Sequence, residues 1–391
     1  MIYLNNAATS WPKPDTVTTA IAAALRQPPP SAYRSTENTV DTLDNMLRQQ
    51  LGKLLNIRHT ERIYFTSGAT DSLNRLLTGL SLAGKPIFTT ATEHNSVLRP
   101  LWNHPQLHQQ TMVIPCNEYG EIHHSMVRDI LIKYADGTGG WFIFNHCSNV
   151  TGNIQYAYGL CRLAHQYGLK VLVDVSQSAG CLPVNAEAWD CDALVFTGHK
   201  ALLGPQGIGG FYLKPGIPLT PLLYGGTGRD SSRLSYDDGN YEYEVGTPNT
   251  PGKAGLLAAV NYILDIGVEH IEKKLKRLTH LLLSELKAID GVILHSLDMT
   301  SGCKPKSFYW PQGPVVSFNI KGLTASDAGY ILANSYNIIL RSGQHCSPLI
   351  HHYLRTADGG TLRASLSVMN TEEDVFELID AVKQTVNKLT S

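Results

Sequence analysis

The sequence predicts an α/β chain: a mostly parallel seven-stranded sheet in a large domain, followed by a smaller α+β domain. Three observations carry this. Seven short apolar, β-rich runs recur at 62–66 (RIYFT), 86–89 (PIFT), 112–114 (MVI), 141–145 (WFIFN), 170–174 (KVLVD), 193–197 (ALVFT) and 209–213 (GGFYL). Stretches at 72–80, 126–134 and 156–167 place Leu, Ile and Ala at helical spacing between them. Strand–helix–strand alternation of this kind marks a parallel sheet covered by helices. The third observation is a change of character past residue 224. The stretch 224–246, rich in Gly, Ser, Asp and Tyr, reads as a long loop or protruding hairpin.

One long helix is expected next, from 252 to about 289, then strand-like pieces at 291–295, 315–320, 338–341 and 361–365. The last helix starts at Thr371-Glu372-Glu373-Asp374, a capping-box-like signal ahead of an apolar face of Val375, Leu378, Ile379 and Val382. The domain boundary falls near 250, giving a large domain over 1–250 and a smaller one over 251–391. The segment 27–31 (QPPPS) is a loop too short to separate domains, and no repeat is visible.

Bulk properties exclude several classes. With 391 residues, 43% hydrophobic and 17% charged, the chain has the composition of an ordinary globular protein. A net charge of −1 gives no basic field for nucleic acid. The first residues lack a basic stretch leading into an apolar one, and no apolar run is long enough for a membrane span. Seven cysteines, odd in number and irregular in spacing, suit a reducing compartment, so a cytoplasmic enzyme is expected.

Ligands of open α/β sheets sit at the carboxyl ends of strands. The run 62–66 ends in Ser67-Gly68-Ala69-Thr70, a turn into a helix whose free N–H groups suit a phosphate. On its own that signal is weak. The run 170–174 ends in Asp174, whose blandest role is to cap the next helix. The next run ends in Thr197-Gly198-His199-Lys200, and a lysine in that setting is unusual. Asp174 and Lys200 on successive strand ends are what a pyridoxal cofactor requires. The lysine amine holds the cofactor covalently, and the carboxylate keeps the pyridine nitrogen protonated.

The ordered set SGATDSLN, TEHNSV, HCSNVTG, VDVSQS, FTGHKALLGPQGIGG, EVGTPNT, RSGQHC and LRASLSVMNT, with the opening YLNNAATSWPKP, resembles one family. It is similar to the cysteine desulfurases and selenocysteine lyases of the class V aminotransferase group, fold-type I enzymes dependent on pyridoxal 5'-phosphate. The motifs run from residue 3 to residue 371, essentially the whole chain. The resemblance implies Lys200 as the Schiff-base lysine, Asp174 as pyridinium partner, Gln177 as donor to the ring hydroxyl and His94 stacked on the ring. It implies a phosphate held by Ala69, Thr70, Thr197 and His199, with Thr247 reaching that phosphate from the second subunit of a homodimer. Asn6 with the adjacent Ala7-Ala8 turn, Asn149, Arg341 and Arg363 would serve the substrate, Arg363 taking its carboxylate as a bidentate fork.

Cys346 sets the expected subtype. The other cysteines, at 116, 147, 161, 181, 191 and 303, read as small buried hydrophobes. Cys346 follows Arg341-Ser342-Gly343-Gln344-His345, and a neighbouring histidine and arginine can favour the reactive thiolate. RSGQHC resembles the short active-site loop of the branch in which the cysteine follows a histidine, with Gln344 in place of a usual first histidine. An adjustable loop is expected between Gly343 and Pro348. The implied reaction turns L-cysteine into L-alanine and leaves a persulfide on Cys346, which a sulfur-acceptor protein would receive. Three readings stand beside it: a selenocysteine lyase, a carbon–sulfur lyase or epimerase on the same cofactor with Cys346 incidental, and a non-catalytic sulfur-assembly partner. A dehydrogenase is rejected because the Gly204–Gly210 cluster lacks G-x-G-x-x-G spacing at a first strand. No metal is expected, since His345, Cys346, His351 and His352 lack a second paired-ligand motif.

Overall fold

The computed structural model describes residues 1–28, 42–80, 82–135, 137–226, 232, 234–235, 242–297 and 311–390. Most of the stretch 224–246, residues 29–31 of the expected loop, and Cys303 lie outside the described residues.

A short first strand, β1 (Ile2–Tyr3), precedes the main sheet. That sheet contains β2 (Ile63–Thr66), β3 (Ile87–Thr90), β4 (Thr111–Ile114), β5 (Trp141–Asn145), β6 (Lys170–Asp174), β7 (Ala193–Thr197) and β8 (Gly209–Leu213). Its order is β2-β8-β7-β6-β5-β3-β4, and only β8 runs antiparallel to its neighbours. All seven strands are those expected from the apolar runs. The run at 86–89 is displaced by one residue, because Pro86 has no N–H to give the ladder. Every residue of β3, β5, β7 and β8 is buried, as strands covered on both faces require.

The C-terminal strands are β9 (Val292–Leu294), β10 (Val315–Ile320), β11 (Ile338–Ile339), β12 (Arg341–Gly343) and β13 (Thr361–Ser365). Four of them form an antiparallel sheet in the order β12-β13-β10-β9. The single strand expected at 338–341 is two. β11 pairs in parallel with β1, whereas β12 pairs with β13 and sets Arg341 beside Arg363.

The single helix expected over 252–289 is also two, Thr250–Ile266 and Val268–Lys287, meeting at 80°. Gly267, at φ +87°, ends the first helix and starts the second in a conformation that side-chain-bearing residues avoid. No single helix among the described residues is long and apolar enough to cross a membrane. The final helix, Glu372–Thr390, begins as expected: Thr371 Oγ1 accepts from Asp374 N (3.3 Å), and Asp374 Oδ2 accepts from Thr371 N (3.1 Å). Helices Asp15–Arg26, Thr42–Leu55 and Ala325–Tyr336 were not expected. The first two pack on Thr250–Ile266, and β1 joins β11, so the chain's start touches both halves.

Candidate active site

The carboxyl ends of β2, β5, β6 and β7 converge on a cavity of about 330 Å³. One wall is the start of the helix Ala69–Gly79. Gly68 precedes it at φ +152°, and no side chain caps it. The first-turn N–H groups of a helix have no partners within the helix, and the helix dipole adds positive potential there. Ala69 and Thr70 line the cavity at this point, so the N-terminal turn forms an anion cradle. Thr197 and His199 face it from the end of β7. His199 Nδ1 is buried without a partner among the described residues, and burial, then the charges of Lys200 and Lys13, lower its pKa to about 4.

Next to the cradle, Asp174 ends β6 in a buried position, its Oδ1 accepting from Ser176 N at 2.8 Å. Burial raises its carboxyl above the ordinary range, and the bond to Ser176 and the charge of Lys200 oppose that. Burial lowers the Lys200 amine to about 8, with Asp174 acting in the opposite sense. His94 Nδ1 accepts from Ser96 N (3.0 Å) and so caps the helix Asn95–Asn103. A backbone N–H can only donate, so Nδ1 is bare and Nε2 holds the proton. Burial, then the charges of Lys200 and Arg341, hold this ring neutral with a pKa of about 3. Gln177 donates one N–H to the Ala7 carbonyl (3.0 Å), which leaves its second for another acceptor.

Arg363 closes the far side, only 1% exposed. Its Nη1 donates to the Asn149 carbonyl (2.8 Å) and its Nη2 to Asn5 Oδ1 (3.2 Å), while Nε is buried with no partner among the described residues. Burial and the neighbouring Arg341 lower its pKa to about 9. Among the described residues neither arginine is ion-paired, so the pair awaits an anion. Ala7 and Ala8 line the cavity as expected, but Asn6 does not. Its amide holds the Ser365 carbonyl (2.9 Å) and Asn370 Oδ1 (3.2 Å), pinning the N-terminal segment in place. Thr247 is exposed and does not line this chain's cavity.

Cys346 occupies a tight turn within the segment between Gly343 and Pro348. Gln344 O accepts from Ser347 N (3.0 Å), and the two central residues, His345 (φ +52°) and Cys346 (φ +62°), are both left-handed. That is a type I′ turn built without glycine. Asn149 clamps it from both sides, donating to His345 O (2.7 Å) and accepting from Ser347 Oγ (2.8 Å). Asn95 N donates to Cys346 O (2.7 Å), and Arg341 Nη2 donates to Cys346 Sγ (3.3 Å). Left-handed backbone costs a side-chain-bearing residue about 1–2 kcal/mol. Cys346→Gly is therefore expected to be more stable than Cys346→Ala by about 1 kcal/mol, read from denaturant midpoints. Equal midpoints would mean that the turn carries no strain.

The other described cysteines are buried, as expected. Burial pushes the thiols of Cys116 and Cys147 up to about 12 and raises those of Cys161, Cys181 and Cys191 well above the ordinary thiol range.

Sequence reasoning passed over Glu93, although it stands inside TEHNSV. It is fully buried, with Oε1 accepting from Thr90 Oγ1 (2.6 Å) and Asn145 N (3.0 Å) and Oε2 without a partner among the described residues. Burial, with a small contribution from Asp174, raises its carboxyl from the ordinary 4.5 to about 8. Below 4.5 the folded and unfolded chains are both protonated here. As pH rises towards 8 the unfolded chain ionises first, so stability is lost across that window. Glu93→Gln is expected to escape this loss. Thermal unfolding between about pH 5 and about pH 9 should show a gap favouring the variant that widens with pH. A constant gap would overturn the assignment.

A lysine facing a buried carboxylate, an uncapped helix end for a phosphate and a buried arginine with an idle donor fit pyridoxal phosphate and an amino-acid carboxylate. On this fold they define a pyridoxal-phosphate-dependent enzyme. Residues 2–378 match the family model described as aminotransferase class-V. A cysteine desulfurase of Escherichia coli (strain K12 / DH10B) is 30% identical over 401 residues, covering 98% of this chain and 93% of that one. The cysteine desulfurase of Escherichia fergusonii gives the same figures. Among solved structures, the apo cysteine desulfurase from Thermococcus onnurineus NA1 superposes with a TM-score of 0.83 at 27% identity, covering 99% of this chain and 95% of that chain. The cysteine desulfurase CsdA from Escherichia coli gives 0.82 at 27% identity, with the same coverage. The chain belongs to the class-V aminotransferase family, in its cysteine desulfurase branch.

Proposed function

We propose that this chain is a cysteine desulfurase that converts L-cysteine to L-alanine and keeps the sulfur as a persulfide on Cys346. The observation that carries this reading is the position of Cys346. It is the one described cysteine that is not buried, and Arg341 from the cavity wall holds its sulfur.

Arg363 receives the substrate carboxylate through its idle Nε, with Arg341 adding charge. Asn149 stands between that carboxylate and the Cys346 turn. When bound, pyridoxal phosphate supplies an electron sink for the carbanion formed at the substrate α-carbon. Asp174 would keep the pyridine nitrogen protonated, and neutral His94 would stand by the ring without adding charge. Lys200, with its amine near 8, is poised to take the α-proton close to neutral pH. The Cys346 thiolate then attacks the substrate sulfur: a sulfur–sulfur bond forms, the carbon–sulfur bond breaks, and the three-carbon remainder leaves as alanine. An acceptor protein takes the persulfide sulfur afterwards. The test is to incubate holoenzyme with L-cysteine and measure alanine together with alkylation-trapped persulfide. Alanine in step with persulfide on Cys346 is expected, and sulfide release with no persulfide would favour a carbon–sulfur lyase.

The chain works as a homodimer with shared sites in this reading. Thr247 is exposed and unused in its own cavity, and exposed Leu222, Leu223 and Tyr224 lie in the same region of the sequence. Mixing inactive Lys200→Ala and Thr247→Ala protomers should restore one intact site per heterodimer. Verified heterodimers without recovered activity, or a monomer by light scattering, would overturn it.

A further inference from the structure

Four donors from the N-terminal segment converge on one peptide oxygen beside Lys200. The His199 carbonyl accepts from Ser10 N (2.9 Å), Lys13 Nζ (3.0 Å), Thr9 Oγ1 (3.1 Å) and Ser10 Oγ (3.2 Å). The carbonyl of Lys200 itself accepts from Ser10 Oγ (2.8 Å) and Leu203 N (2.8 Å). Ser10 has a single hydroxyl proton and cannot serve both carbonyls. Lys13 decides between them. Its ammonium donates to Ser10 Oγ (2.7 Å), occupying a lone pair there, and takes over the His199 carbonyl as well. The Ser10 proton is left for the closer acceptor, the Lys200 carbonyl.

We propose that Lys13 is a positioning residue for Lys200, fixing the two peptide planes on either side of its Cα so that the amine is aimed into the cavity. With both planes held, φ and ψ of Lys200 are set, and the direction of its Cα–Cβ bond follows from them. A cation suits the task because one ammonium carries three donors in a tetrahedral fan. Among the described residues Lys13 has no carboxylate partner, so its donors are committed to this turn. Burial works against this charge and lowers the pKa of Lys13 to about 8, which still leaves the ammonium the major form at neutral pH.

The inference rests on the reading of Lys200 as the cofactor lysine, so borohydride labelling of the wild type is the control. Label on another lysine would sink that reading and leave Lys13 without a role. With label on Lys200, holoenzyme carrying Lys13→Met is compared with wild type and with Lys13→Arg, which keeps a charged donor. Lys13→Met is expected to slow exchange of the cysteine α-hydrogen with deuterated water roughly tenfold, as a small misalignment of a reacting group does. The half-life of bound pyridoxal phosphate should shorten, KM for cysteine should stay within about twofold, and Lys13→Arg should recover most of the exchange rate. Unchanged exchange and cofactor retention in Lys13→Met would overturn the proposal. So would an arginine variant as impaired as the methionine one at equal melting temperature. If Lys13→Met does not fold, Ser10→Ala removes the shared hydroxyl and is judged by the same exchange and retention measurements.

Discussion

Holoenzyme carrying Cys346→Ser is expected to retain its cofactor and bind cysteine, yet form no persulfide and lose alanine production by on the order of 10³-fold. The substitution leaves the cavity walls intact, because Arg363, Asp174 and Lys200 do not depend on the sulfur for any hydrogen bond. It removes the nucleophile, since a hydroxyl is far less ionised than a thiol at neutral pH and a poorer attacker of sulfur. No other described cysteine can stand in. Cys147 lines the same cavity, but burial pushes its thiol up to about 12, leaving almost no thiolate. With selenocysteine the loss should be smaller, because the carbon–selenium bond breaks more readily. Alkylation, digestion and mass spectrometry of cysteine-treated enzyme should place the persulfide on Cys346. Undiminished cysteine turnover in the variant, or persulfide on Cys147, would refute the desulfurase mechanism and leave the cofactor site untouched.

Lys200→Ala is expected to abolish both covalent retention of the cofactor and α-proton removal, lowering turnover by about 10³-fold or more. Its amine is the group whose charge opposes the burial of Asp174, so its loss should push that carboxyl further up. Borohydride reduction of wild-type holoenzyme followed by peptide mapping should find the pyridoxyl group on Lys200. The variant should show no label there and should lose its cofactor on dialysis. Retained visible absorbance after dialysis would assign the cofactor to a different lysine.

Local information sufficed for the main sheet and for most of the residues that line the cavity. Seven apolar runs became seven strands because a strand buried on both faces must be apolar along its whole length, and that is visible without knowing its neighbours. Asp174, Thr197, His199 and Lys200 were legible for a related reason. Polar residues at the ends of apolar strands are placed by the strands themselves. The helix over 252–289 failed locally. Its apolar spacing continues through Gly267, and only the tertiary structure shows the 80° break there.

The sequence by itself determined the fold class and the polar residues gathered at the strand ends, and it singled out Cys346 among the cysteines. The tertiary structure decided what joins distant segments. It set Arg341 beside Arg363 through the pairing of β12 with β13, and it clamped the Cys346 turn with Asn149. It turned Asn6 from a pocket residue into a staple between Ser365 and Asn370, and it brought Lys13 onto the His199 carbonyl, next to Lys200. The physical reason is common to all four. A pairing or hydrogen bond between separate segments leaves no periodicity in the chain, and its energy exists only once packing has excluded water from both partners.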